Sequence, residues 1–225
     1  MSTVYEFVAK GGPTMIPIVG LSIATLYCAL ERAWYWIKLL RHEDQIVREI
    51  LEVASYDLQR AATIAENHQH LPIGRFLFAP LRLQQPNPET FRLALEAAGD
   101  REFIQMQRGD KLLETVIAIA PLLGLLGTVT GLIITFQNLN VGGGGSNIDT
   151  TKAASGIGEA LITTAGGMIV AIVALTFLRL FVSFQATQLE YFSAVGSELE
   201  LIYRQSHEAV IVPPLALLPE SFLSP

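Results

Sequence analysis

The run VIAIAPLLGLLGTVTGLIITF at residues 116–136 constrains this chain more than any other stretch. It is 21 residues long and uncharged, the length at which an α-helix crosses about 30 Å of hydrocarbon. Inside a bilayer each main-chain N–H and C=O needs an internal partner, so such a run is helical. It is also not uniformly greasy. Pro121, Gly124, Thr128, Gly131 and Thr135 recur every three or four residues and therefore share one narrow stripe of a helix. Gly127 lies beside that stripe. A helix surrounded by lipid has no use for such residues. A helix packed closely on another, or one lining a polar path, does, and both readings stand at this point.

The remainder supports an all-α membrane protein. Of 225 residues, 51% are hydrophobic and 16% charged, against about a quarter charged in ordinary soluble domains. Residues 1–12 read as a short interfacial helix, with Thr3 and Glu6 at capping-box spacing, ended by Gly11-Gly12-Pro13. Residues 1–10 lack a basic segment and no small-residue cleavage site follows, so a cleavable signal is not expected. A first transmembrane helix is expected over 13–37. Glu31 and Arg32 are read as its solvated end, and Trp34, Tyr35 and Trp36 as an aromatic belt. Cys28 lies inside this span and is read as a packing residue. Residues 38–111 form a polar helical region, with one helix expected to about His68 and breaks at 71–74 and 84–88. Asn87 and Pro88 have the N-cap and first-turn pattern of a new helix, with weak points at Gly99 or Gly109. A second span follows at 112–136, a Gly-rich loop at 137–155, and a third span at 156–184. A helical extension covers 185–209 and an irregular Pro-rich tail 210–225.

Ten of the fifteen Lys and Arg residues lie in 38–111, and one lies between the second and third spans. Cations near spans stay in the cytoplasm. The polar region and C-terminus are therefore expected inside and the N-terminus outside. His68 and His70 lack a third ligand nearby, so neither metal nor cofactor is expected. Nor is a nucleophile–base pair visible, so the chain does not read as an enzyme. Nothing resembles a basic nucleic-acid surface.

The third span divides by face. Leu161, Ala165, Met168, Ile169, Ile172 and Val173 fall on one side; Glu159, Ala160, Thr163, Thr164, Gly166, Gly167, Ala171 and Ala174 fall on the other. The short loop predicts antiparallel packing of the second and third helices. Setting Phe136 against Gly156 brings Thr128 level with Thr164, roughly 6 Å outward of the helix middles at 1.5 Å per residue. Two hydroxyls at one level form a candidate proton relay; the alternative is that each bonds back to its own helix. Thr163 and Thr135 are additional lining candidates. Glu159 is the one carboxylate near a membrane stretch after Glu114, and acids there are costly to keep. No Asp, Glu, His, Lys or Arg lies between Thr115 and Phe136 or between Ala160 and Leu178. If protons cross, a partner must bring the acid.

The segments APLLGLLGTVTG at 120–131 and GIGEALITTAGG at 156–167 resemble the paired signatures of the ExbB/TolQ/MotA proton-channel family, nearest its ExbB and TolQ branch. The resemblance implies a subunit of an inner-membrane motor. It would be a homopentamer around single-span ExbD- or TolR-like helices carrying an Asp, and would drive a TonB-like arm for outer-membrane transport. A TolQ-like role in envelope maintenance, or a structural scaffold without conduction, are the alternatives. Position by position, Thr128 and Thr164 match the family's proposed path threonines, Glu159 its helix-three glutamate and Pro121 its helix-two proline. Thr163 stands where relatives often have Ala, and Thr130 where they commonly have Trp.

Overall fold

The computed structural model describes residues 11–40, 43–140 and 150–211, and all regular structure in them is helical. The expected interfacial helix at 1–12 up to Lys10, the Gly-rich stretch at 141–149 and the tail beyond 211 lie outside the described residues. In chain order the helices are α1 (Met15–Leu40), α2 (Glu43–Ala54), α3 (Leu58–Asn67), α4 (Pro72–Leu81), α5 (Pro88–Met106), α6 (Asp110–Asn140) and α7 (Thr150–Ile211). Among the described residues three helical stretches, which include the apolar parts of α1, α6 and α7, are long and apolar enough to cross a membrane. The chain divides into two units, one built from residues 1–34 and 108–183, the other from 35–107 and 184–225.

The first unit contains the apolar part of α1, α6 and α7 as far as Ser183. Its helices carry exposed Ile16, Ile23, Leu122, Leu125, Ile133, Leu161, Ile169 and Ile172. In water such a surface would aggregate; with lipid as solvent it is the favourable outer face. Buried within the unit are Ile18, Thr25, Cys28, Val116, Ala120, Thr135, Ala160, Thr163, Ala171 and Ala174. Small residues dominate because dispersion between close backbones, not water exclusion, holds membrane helices together. Arg32, expected at a solvated helix end, is instead buried at 5% exposure. Its stem and the Cys28 thiol pack where α6 begins, over Gly109.

The second unit is an ordinary amphipathic bundle. Ile46, Val47, Ile50, Leu51 and Ala54 form the inner stripe of α2. Phe91, Leu95, Ala98, Glu102 and Met106 do the same for α5, and Phe192, Val195, Leu199 and Tyr203 for the far half of α7. These recur every three to four residues, as a one-sided helix requires. Phe76 packs on Phe192 with ring centroids 4.9 Å apart, and Phe91 stacks on Tyr203 at 4.1 Å. At the edge of this core, half-buried Arg75 donates from Nε to the buried Glu102 Oε1 at 2.8 Å. Trp36, expected in a headgroup belt, is only 2% exposed and packs against Phe184, whereas Trp34 is 75% exposed.

The single helix expected from Lys38 to His68 is in fact divided. After Ala54 the chain turns through Ser55 and Tyr56, and Asp57 restarts it. The Asp57 carboxylate accepts from the main-chain N–H groups of Gln59 at 2.9 Å and Arg60 at 3.0 Å, which satisfies two orphan donors. At the next start the Asn87 side chain accepts from Thr90 N–H at 2.7 Å, with Pro88 in the first turn. Gly109, at φ +90°, ends the passage from α5 to α6, a left-handed position that suits glycine.

Candidate functional site

The site is built where α6 and α7 press together in the first unit. Their contact depends on glycine. A β-carbon on Gly124 would lie 3.0 Å from Thr164 Cα, and one on Gly131 2.9 Å from Ala160 Cβ. A β-carbon on Gly127 would collide with the Thr163 side chain, and one on Gly167 with the Ala120 carbonyl oxygen. The stripe of α6 therefore faces the small face of α7, and Gly166 and Gly167 are buried with it. The opposite residues, Leu161, Met168, Ile169, Ile172 and Val173, are exposed. Pro121 is half-buried within α6.

The register lies close to the expected one. Gly156 meets Thr135 and Gly131 meets Ala160, one position from the pairing of Phe136 with Gly156. Deeper in, Thr163 faces Gly127 and Thr164 packs on Gly124, so the Thr164 hydroxyl contacts α6 at Gly124 and not at Thr128. The hydroxyls accordingly divide. Thr128 Oγ1 donates to Leu125 O at 2.6 Å, within its own helix. Thr135 Oγ1 likewise donates to Gly131 O at 2.8 Å. Thr164 Oγ1 reaches across to Gly124 O at 2.8 Å. Thr128 and Thr164 are both half-buried, while Thr163 is 1% exposed.

The N-terminal turn adds a part that sequence reasoning missed. Thr163 Oγ1 lies 2.8 Å from Gly11 O and 2.9 Å from Glu159 O, a shared donation to two carbonyls. Thr14 Oγ1 would be 2.9 Å from a β-carbon on Gly127. Gly12, at φ +65°, lies against the Glu159 carboxylate so closely that any side chain there would strike it. Glu159 is half-buried under this turn. The signal lies in Gly11-Gly12-Pro13, which as sequence reads only as a helix break. A pair of glycines also permits close backbone approach.

Chemically, the arrangement offers a hydroxyl and a carboxylate at the edge of a tightly closed helix pair. Each hydroxyl donates its proton to a carbonyl and keeps lone pairs with which to accept another. The stretches on either side carry no titratable group.

Residues 68–194 match the MotA/TolQ/ExbB proton channel family. The ExbB-like 1 protein of Synechocystis sp., named for biopolymer transport, is 65% identical over 196 residues, covering 87% of this chain and 77% of its own length. The ExbB-like 3 protein of the same organism is 31% identical over 198 residues, covering 88% of this chain and 94% of its own. The Tol-Pal system protein TolQ of Haemophilus influenzae is 32% identical over 134 residues, 56% of this chain and 57% of its own. With its three apolar helices and the small-residue contact between α6 and α7, the chain belongs to the MotA/TolQ/ExbB proton channel family.

Proposed function

We propose that the chain is the proton-path subunit of an inner-membrane motor, an ExbB-like protein that works with an ExbD-like single-span partner to energise TonB-dependent outer-membrane transport. The N-terminus is outside and the polar segment 38–111 is cytoplasmic, because the cations concentrate there. Five copies surround the partner's helices. A proton moving down the membrane potential yields about 2.3 kcal/mol per charge per 100 mV. It passes from Glu159 by way of Thr128 and Thr164 to an aspartate carried by the partner, whose neutralisation lets the central helices turn. Thr163 and Thr135 complete the lining.

The observation that carries this reading is Thr164. Its hydroxyl bonds across the helix pair to Gly124 O at 2.8 Å, in a stretch without any acid or base of its own. In liposomes holding the chain with its co-purified partner, Thr164→Val loses at least tenfold in proton flux while Thr164→Ser retains most of it. Equal flux in wild type and Thr164→Val removes the relay. Glu159→Ala lowers flux as well. Native mass spectrometry of the assembly counts the subunits.

Two other readings have observations behind them. The match to TolQ favours envelope maintenance as the output; rescue of a Tol-deficient strain, without rescue of TonB-dependent uptake, selects it. The internal bonds of Thr128 and Thr135 favour a scaffold in which hydroxyls only satisfy carbonyls. In that case hydroxyl removal is silent, while Gly127→Leu or Gly167→Leu breaks assembly.

A further inference from the structure

The second unit contains a carboxyl that the α6–α7 site does not use. Glu43 opens α2 and is only 4% exposed. Its Oε1 accepts a hydrogen bond from Gln188 Nε2 at 2.6 Å, across 145 positions of sequence. Gln188 is itself 3% exposed. A buried carboxylate is normally retained beside a cation, because an unpaired charge away from water is costly. Among the described residues the partner is a neutral amide, and the charge acting on Glu43 is the like charge of Asp44.

Next to this buried pair lies an open groove of about 730 Å³ between α2 and α7. Asp44, Arg48 and Tyr191 line it, and the Tyr191 hydroxyl donates to Asp44 Oδ1 at 2.9 Å. Glu52 and Glu198 stand further along the same groove. Among the described residues, the groups facing Glu43 and its surroundings are thus Asp44 and Arg48 from α2, with Gln188 and Tyr191 from α7. Arg48 acts on Tyr191.

We propose that Glu43 is a proton-exchange site, a buried carboxyl held by Gln188 that takes up and releases H⁺ through the Asp44–Tyr191 groove. In taking up a proton the carboxylate becomes a neutral acid. In giving it up, the O–H bond breaks and the proton passes to groove water beside Asp44. Burial first, and then Asp44, raise the acid to about 7, with the Gln188 bond opposing them. That range suits exchange at neutral pH. As a step in transmembrane transfer the site rests on the function proposed above; as a proton-binding site it does not.

Infrared titration of the full chain in lipid nanodiscs reads the proton directly. A buried carboxylic-acid C=O band is expected that disappears as pH rises through neutrality and is absent in Glu43→Gln. Gln188→Leu removes a donor that favours the carboxylate, so the band should persist to higher pH. That shift keeps the test decisive should Glu43→Gln fail to fold. A band that titrates with the surface acids, or that survives in Glu43→Gln, overturns the assignment. In liposomes with the co-purified partner, Glu43→Gln should lower flux at least tenfold with assembly intact; unchanged flux removes Glu43 from the transfer path. Wild-type liposomes that pass no protons would sink the proposed channel function, while the infrared result would still decide Glu43.

Discussion

Among single residues, Thr163 and Thr164 show how much a neighbour's identity decides. The two are adjacent and chemically identical, yet Thr164 bonds to Gly124 across the helix pair while Thr163 ties Glu159 O and Gly11 O together. Helical periodicity puts both on the small face of the third span. It does not separate them, because their partners come from distant segments. Gly12 makes the separation testable. It needs the left-handed region at φ +65° and faces the Glu159 carboxylate without a side chain between. Gly12→Ala therefore strains the turn and displaces Glu159 together. The expected outcome is a loss of about 1–2 kcal/mol from the turn and a fall in proton flux resembling that of Glu159→Ala. Full flux and an unchanged Tm in Gly12→Ala would show that the turn does not hold the acid.

For the helices as elements, the apolar spans are legible in the sequence because length and hydropathy alone determine them. The polar region is legible only where a cap has a recognisable neighbour. Asn87-Pro88 announces α5, whereas Asp57 is hidden inside an otherwise helical pattern. An Asp in that setting is ambiguous until its side chain is seen accepting from Gln59 and Arg60. Asp57→Ala should destabilise the polar unit by about 1 kcal/mol, measured as a lower Tm, and Asp57→Asn should restore most of it. The α6–α7 register is legible to within one position at the outer ends, where Gly156 meets Thr135, but the partner of each hydroxyl is not. Loop length fixes which helices are neighbours, while the residues that allow closest approach choose the contacts between them. Gly167→Leu places a branched side chain against the Ala120 carbonyl, and no rotamer avoids that. It should abolish assembly in detergent, whereas Ile169→Leu, on the exposed face of the same helix, should leave assembly unchanged.

Within the chain as a whole, the two units use different physics, and pH separates them. The first unit lies in a solvent where charge is excluded, so its titratable inventory is small. The second unit resembles a soluble domain and buries acids in two distinct ways. Glu102 is held by Arg75, whose guanidinium donates at 2.8 Å and is itself raised by that bond. Removing Arg75 leaves an uncompensated carboxylate in the core, so Arg75→Met should cost about 3 kcal/mol, read as a lower Tm. Glu43 responds to pH even without mutation. Its carboxyl is raised from the ordinary 4.5 to about 7, so the folded state binds the proton more tightly than the unfolded chain. Stability from this group is complete below pH 4.5 and is lost as pH climbs through about 7. Thermal melts of the polar unit followed in the full-length protein should therefore fall as pH rises across that window. Glu43→Gln, which fixes the neutral state, should flatten that fall and be the more stable protein on its alkaline side. A melting profile with the same slope in both proteins would place the pH response elsewhere. The composition does not foretell this, since Glu43 and Asp44 look alike in sequence; α7 approaches both, giving one the Gln188 amide out of water and the other the Tyr191 hydroxyl at an open groove.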